Sequence, residues 1–488
     1  MSAKLATAVV GACANAGVRE FCVCAGARNV SIIVALERST GCRCWHFYDE
    51  RSAAFFALGR MMLTGSPVAV VTTSGTAVAE LLPATIEGFY QSLPLVLLTA
   101  DRPTRYRGSG APQAIEQSGI FSGYARFLDV EGELGEAESF LDRAVRAGRP
   151  AHVNVCLEEP DRAEIDATEG VEFLHAGKVE REQQDPGLLE VFLEEPAGLL
   201  VMLGNLREDE RAGLLEFLQA LGAPILAEAG SGLREKLPGL AVREVPDDVR
   251  KVLRIGGVPS HRFWRDLESK SDVRVLSVSR GRFSGLARSS EVIGSVDWQA
   301  IDPPAVGYSR PIAELEVEGE LRWFRILSQN IPSGSKVLIG NSLPIREWNL
   351  AATFEDRGLQ CFSCRGANGI DGQLSASLGL ASDQEETWAI VGDLTALYDL
   401  GAPWILKQLD ASKVHIVVIN NGGGMIFAKL PGLANLSDGE RGAIENNHGV
   451  RLKGWADMWG LGYQQVDASD DGSSIDWKRD GVIEIIGL

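Results

Sequence analysis

A chain of 488 residues is too long for one hydrophobic core and predicts about three domains. Its 45% hydrophobic and 23% charged residues fit a globular protein, neither disordered nor fibrous, and no apolar run approaches the ~20 residues of a bilayer span. The formal charge of −19 argues against non-specific binding to nucleic acid or anionic membranes, and eight cysteines in so long a chain predict reduced thiols in a soluble, cytoplasmic protein.

The first element, Leu5 to Ala16, places Val9, Val10 and Cys13 at helical spacing, so the start reads as a helix of the fold and not as a cleaved leader. Short apolar runs follow at Phe21–Cys24, Cys44–Tyr48, Val68–Thr72, Leu95–Thr99 and His152–Cys156, separated by the helix-like segments Arg51–Met62 and Ala77–Gln91. Strands alternating with helices in this way predict a mostly parallel sheet covered on both faces. An acidic stretch from Glu158 to Asp185 breaks the pattern and reads as a linker. A smaller unit carries strands at Leu199–Leu203, Pro224–Ala227, Val252–Ile255 and Val273–Val278, and Pro- and acid-rich sequence from Asp297 to Glu320 closes it. The last unit carries strands at Lys336–Ile339, Trp388–Val391, Val414–Ile419 and Val482–Ile486. The expected fold class is therefore α/β, with three consecutive doubly wound, mostly parallel-sheet domains at 1–165, 185–297 and 315–488, and ligands at the carboxyl ends of strands. Cys361 and Cys364 form a lone C-x-x-C with no second pair to complete a zinc site.

The most specific segment lies in the third unit. One apolar strand ends in Gly392-Asp393-Leu394, and 28 residues after Asp393, about one strand–helix–strand crossover, a second ends in Asn420-Asn421-Gly422-Gly423. Both clusters are expected at the same edge of the sheet. A carboxylate, an amide oxygen and a carbonyl in a glycine-rich turn make an incomplete oxygen shell, which suits magnesium because its remaining positions take water and phosphate. Either half alone is a helix-capping Asp or a plain Asn-Gly loop; the pair at this spacing points to a metal–diphosphate site.

Gly-Asp, then Asn-Asn, at this spacing resembles the thiamine-diphosphate enzyme superfamily. A narrower resemblance rests on His46 to Arg51, Thr73-Ser74-Gly75-Thr76-Ala77, Leu98 to Pro103, Gly110 to Ile115, Gly340 to Leu343, Arg365 to Gly372 and Gly392 to Leu400. These are similar to the 2-succinyl-5-enolpyruvyl-6-hydroxy-3-cyclohexene-1-carboxylate synthases of menaquinone biosynthesis, densely in the first and third units and thinly in the middle one. The resemblance implies a transferase that decarboxylates 2-oxoglutarate and adds the resulting carbanion to isochorismate. It implies thiamine diphosphate and Mg2+ as cofactors, with Mn2+ able to substitute. Glu50 matches the glutamate that bonds the cofactor's aminopyrimidine, a role suited to a carboxyl kept neutral by apolar surroundings. Asp393, Asn421 and the Gly423 carbonyl match the metal ligands, with Asn420 supporting the turn. Ser74, Gly75, Gly392, Leu394 and Ile426 match cofactor-binding positions, and Ile370 the apolar wedge beneath the cofactor.

Both implied substrates are polyanions, which arginine forks grip in two-point geometry. Arg28, Arg102, Arg262, Arg346 and Arg365, with Ser342, fall on or beside substrate-binding positions, and Gln113 matches a polar residue near the reacting centre; Arg28, Gln113 and Arg365 join Glu50 as the expected catalytic set. Each arginine alone reads as a surface charge. The chain departs from the family pattern at Ala27, at Asn29-Val30-Ser31, at Pro112 in place of Asn and at His261 in place of Lys. The resemblance also implies a homodimer or homotetramer with active sites between subunits. Two other readings stay open: a thiamine-diphosphate decarboxylase or carboligase acting on a smaller 2-oxo acid, disfavoured by the five arginines and by the lack of a His-His pair; and a non-catalytic nucleotide-binding module, disfavoured by Glu50 standing beside both halves of the metal motif.

Overall fold

The computed structural model describes residues 2–174, 183–382, 384–409, 413–433 and 435–488. Three all-parallel sheets form the framework, and the chain is a three-sheet α/β protein. The first sheet contains β1 (Glu20–Cys24), β2 (Arg43–Phe47), β3 (Val68–Thr72), β4 (Leu95–Asp101), β5 (Arg126–Glu131) and β6 (Ala151–Cys156), in the order β2-β1-β3-β4-β6-β5. The middle sheet has the order β11-β10-β9-β7-β8, from β7 (Leu199–Leu203), β8 (Ile225–Ala227), β9 (Lys251–Ile255), β10 (Arg274–Val278) and β11 (Glu291–Ile293). In the third, β12 (Lys336–Ile339), β13 (Gln360–Phe362), β14 (Thr387–Gly392), β15 (Val414–Asn420), β16 (Tyr463–Asp467) and β17 (Gly481–Ile486) run in the order β13-β12-β14-β15-β17-β16. By position along the chain the first and third sheets have the same strand order. In each the order reverses between the first and third strands, and the crevice beyond that point is where doubly wound sheets hold ligands.

The central strands β3, β4, β6, β7, β9 and β15 are buried along their whole length, as helices on both faces require. The helix Ser2–Asn15 puts Leu5, Val9, Val10 and Cys13 into the first core, beside Phe21, Val71, Leu98 and Val153. No helix of the described residues is long and apolar enough to cross a membrane.

The helix-like run Ala77–Gln91 is two helices, Thr76–Ala79 and Leu82–Tyr90. Pro83 enforces the break, since it has no N–H to continue the ladder and its ring collides with the preceding turn. The acidic stretch after Glu158 is more than a linker: it contains the helix Arg162–Asp166, Glu172 bridges in parallel to Thr40, and Phe173 is buried edge-on against Phe21. Residues 175–182 of that stretch lie outside the described residues.

Two compact units result, and the 315–488 segment contributes to both. Residues 371–380 and 401–410 belong with the first unit, where the helix Gln373–Gly379 lies along the helix Glu50–Thr64. The approach is close because both helices carry glycine at the crossing: a Cβ on Gly59 would stand 2.0 Å from the Ala376 carbonyl oxygen and 2.9 Å from the Gly379 Cα. In the same unit Trp404 Nε1 and Gln408 Nε2 both donate to the His46 carbonyl, which anchors edge strand β2 just before Glu50.

Candidate functional site

In the first unit, chemistry-bearing residues gather at the carboxyl ends of β1 to β4. Beyond β2, Asp49 caps the helix Glu50–Thr64 by accepting from the Ser52 N–H at 3.1 Å. Glu50 is therefore held at the first helical position, half-buried. Burial raises its carboxyl above the ordinary carboxylate range, its own backbone N–H opposes the rise, and the charges of Asp49 and Glu80 add to it. After β3, Ser74 is buried, and Gly75 takes φ +87°, a left-handed conformation that costs glycine nothing. Gln113 lies against this turn, its Cα 3.4 Å from where a Gly75 Cβ would be, and adopts φ +57°, which is uncommon for a residue with a side chain.

Arg28 follows β1, is buried, donates to the Leu157 carbonyl at 3.3 Å and stands 3.8 Å from the Glu159 carboxylate. Its pKa is lowered first by burial and next by the charge of Arg102, with the charges of Glu159 and Glu158 opposing the fall, so two guanidinium groups face one region. Arg102 follows β4; its backbone N–H donates to Asp101 Oδ1 at 2.7 Å, its Nε donates to the Pro112 carbonyl at 3.0 Å, and its guanidinium lies over the Tyr106 ring. The Pro112 departure thus removes a side-chain donor while its carbonyl anchors an expected substrate arginine. Asn29, another departure, accepts from the Gly26 N–H at 2.9 Å and donates to the Cys24 carbonyl at 2.9 Å, closing the turn that carries Arg28.

In the second unit, β14 and β15 pair with Gly392 opposite Ile419, so the Asp393 and Asn421 loops leave the sheet side by side. Asp393 is buried; Oδ1 accepts from the Leu394 N–H at 2.6 Å, and Oδ2 accepts from the Gly422 and Gly423 N–H groups at 2.8 and 3.0 Å. Burial nevertheless raises its pKa, and His448 Nε2 lies 3.6 Å from Oδ2. Asn421 donates through Nδ2 to both carboxylate oxygens of Glu320, at 3.3 and 3.2 Å, which turns Oδ1 the other way. Gly392, Leu394 and Ile426 flank the loop as partly buried residues.

Asn420 donates to the Val450 carbonyl at 3.1 Å and to Glu484 on neighbouring β17. Glu484 is fully buried and also accepts from the Leu452 N–H at 3.0 Å and the Tyr463 hydroxyl at 2.6 Å. Sequence reasoning missed Glu484 as the anchor of the Asn-Asn turn. Its signal was one carboxylate in the otherwise apolar run Val482–Ile486.

The same unit places Ser342, at φ +70°, before the helix Leu343–Ala351, and Arg346 donates to the Ser342 carbonyl from the first turn. Arg365 follows β13, is buried, and donates to Asn341 Oδ1 at 3.2 Å; its Nε has no hydrogen-bond partner among the described residues. The pKa of Arg346 is lowered first by burial and then by the Arg365 charge, so these two form a second cationic pair. Ile370 is partly buried a few residues further on. Arg262 is not gathered with them: its side chain is 65% exposed and pairs with Asp266 one turn along its own helix, at 3.6 Å. His261 caps that helix, accepting from the Phe263 N–H at 3.2 Å. Cys361 and Cys364 are buried thiols, and among the described residues no group of three or more His, Cys, Asp or Glu side chains is arranged to hold a metal.

Comparison with known proteins supports the same cofactor class. Residues 3–120 match the family described as "Thiamine pyrophosphate enzyme, N-terminal TPP binding domain". The chain is 40% identical to a 2-succinyl-5-enolpyruvyl-6-hydroxy-3-cyclohexene-1-carboxylate synthase of Bdellovibrio bacteriovorus, over 95% of this chain and 91% of that protein. It is 40% identical to one of Akkermansia muciniphila over 97% and 93%, and 32% identical to one of Geobacillus thermodenitrificans over 87% and 82%.

Proposed function

Because the chain belongs to the 2-succinyl-5-enolpyruvyl-6-hydroxy-3-cyclohexene-1-carboxylate synthase family, we propose that it decarboxylates 2-oxoglutarate and joins the remaining fragment to isochorismate, as a transferase of menaquinone biosynthesis. The observation that carries this reading is the near-full-length similarity, joined to a buried carboxylate and a half-buried amide at neighbouring strand ends. Thiamine diphosphate, when bound, supplies a carbanion at its thiazolium carbon and an electron sink for carbon–carbon cleavage.

The residues fit that cofactor. Asp393, Asn421 Oδ1 and the Gly423 carbonyl are hard oxygen donors, one of them anionic. This is the partial shell that Mg2+ completes with water and phosphate oxygens. Glu320 fixes which end of the Asn421 amide is free to coordinate. Glu50, with its carboxyl raised by burial, holds a proton to higher pH than a free glutamate and so can donate an O–H to a pyrimidine nitrogen. Arg28 with Arg102, and Arg346 with Arg365, bind and orient the carboxylates of the two substrates. Gln113, held in a strained conformation beside Gly75, positions the reacting carbonyl. In this reading Glu50 of one subunit and Asp393 of another serve the same cofactor molecule, which makes a homodimer the smallest active form. The reduced cysteine thiols support a cytoplasmic location.

The test is turnover by purified protein given Mg2+, thiamine diphosphate, 2-oxoglutarate and isochorismate, following carbon dioxide and the adduct. Both products are expected, and neither without cofactor. Turnover of pyruvate with none of 2-oxoglutarate would contradict the substrate assignment and favour a decarboxylase of smaller 2-oxo acids.

A further inference from the structure

The first unit contains a buried polar relay that the sequence patterns do not mark. Gln117 is fully buried. Its Oε1 accepts from the Gly75 N–H at 2.9 Å, and its Nε2 donates to the Ala100 carbonyl at 3.2 Å and to Asn154 Oδ1 at 2.7 Å. Asn154, also fully buried, donates through Nδ2 to Asp101 Oδ2 at 3.0 Å and Asp129 Oδ1 at 2.9 Å. Asp101 accepts through its other oxygen from the Arg102 N–H at 2.7 Å. Arg107 closes the far end with contacts of 2.7 and 2.8 Å to the two Asp129 oxygens.

Every polarity in this chain of bonds is fixed by its ends. A backbone N–H only donates, so Gly75 selects the Gln117 oxygen; the carboxylates of Asp101 and Asp129 only accept, so they select the Asn154 nitrogen. Thr99 Oγ1 donates to Asn154 Oδ1 at 2.9 Å and therefore accepts, at 2.7 Å, from His152 Nε2. Burial drives the His152 pKa down to about 3, so the ring stays neutral. Buried networks of this kind hold geometry because each broken bond strands a desolvated partner.

The geometry points to Gln117 as a positioning residue, joining the turn at Ser74–Gly75 to the backbone of Arg102 through Asn154 and Asp101. This rests on the reading above, in which Gly75 faces the cofactor and Arg102 a substrate carboxylate. The relay then sets two loops, on the ends of β3 and β4, to one geometry. Packing of apolar strands cannot do this, because it leaves the loops beyond them free.

The experiment compares Gln117→Leu and Gln117→Glu, reading thiamine diphosphate Kd by calorimetry, KM and kcat for the 2-oxo acid, and the unfolding temperature. Gln117→Leu removes both ends of the relay, and is expected to weaken thiamine diphosphate binding and raise the 2-oxo acid KM by about tenfold each, the loss of roughly one buried hydrogen bond apiece. Gln117→Glu keeps the acceptor for Gly75 and loses both N–H donors, so cofactor Kd should change by less than about twofold while KM still rises by about tenfold. Equal effects of the two variants on Kd and KM, or a lowered unfolding temperature with both constants unchanged, would overturn the assignment. If wild-type protein turned over pyruvate and not 2-oxoglutarate, the substrate reading would fall, while the relay would still be tested on pyruvate KM and cofactor Kd.

Discussion

The role proposed for Glu50 depends on one feature of local structure: Asp49 takes the cap position, which leaves Glu50 at the start of the helix with its carboxyl half-buried. The sign of its pH dependence follows. A carboxyl held above its ordinary range keeps its O–H below the raised pKa and loses it above, so cofactor binding should weaken as pH rises through that pKa. Glu50→Gln, which always has an N–H to donate, is expected to abolish turnover yet leave Mg2+-dependent binding with no loss over the same window, measured by calorimetry against pH. A second carboxyl makes a stability prediction. Glu347 is buried beside Glu320 and Lys429, and burial together with the Glu320 charge pushes its pKa up to about 7. Folding then takes up a proton between the unfolded pKa and about 7, so stability is fully present below the unfolded value and declines as pH rises through 7. Glu347→Gln should flatten the fall in unfolding temperature between acid and mildly alkaline buffer; an unchanged slope would refute the assignment. At this scale the neighbouring strand ends that carry Asp393 and Asn421 were legible, because each follows an apolar strand at a recognisable spacing, whereas Glu50 stood out only through the family resemblance. Gln117, Asn154 and Glu484 were not legible, because their roles come from partners dozens of residues away.

Among the elements, the strands that could not be read as apolar runs are β5, β11, β13 and β16, and every one stands at a sheet edge. One side of an edge strand is open, so exposed and half-buried residues interrupt its run, as in β5 and β16. The central strands are covered on both faces and announce themselves in composition. The break at Pro83 was missed although proline's absent donor signals it, whereas the helix–helix contact at Gly59 and Gly379 has no local signal, because it depends on where two distant segments meet. Arg234 shows how an element is held for function. It is fully buried and donates to the carbonyls of Asn349, Ala352 and Thr353, at 3.2, 3.0 and 2.9 Å, closing the carboxyl end of the helix Leu343–Ala351, which carries Arg346. Arg234→Met strands those carbonyls and should destabilise the protein by about 3 kcal/mol in denaturant unfolding, with a raised substrate KM. A loss below the resolution of the measurement would show that the cap is dispensable.

For the whole molecule, the repeated strand order of the first and third sheets places in one chain two sheet edges of the kind where doubly wound folds hold ligands. One edge carries Glu50, Ser74 and Gly75 with Arg28 and Arg102; the other carries Asp393 and Asn421 with Arg346 and Arg365. The three-sheet architecture was legible in the alternation of strand and helix patterns. The assignment of 371–380 and 401–410 to the first unit was not, because it depends on tertiary packing that no local pattern encodes. The central claim is that one cofactor is served by both edges, contributed by different subunits. It is tested by mixing two inactive proteins, Glu50→Gln and Asp393→Asn, under conditions that let subunits exchange. Random pairing gives half heterodimers, each with one intact site of two, so activity should return to about a quarter of wild type. No recovery on mixing, with subunit exchange demonstrated, would contradict the shared site.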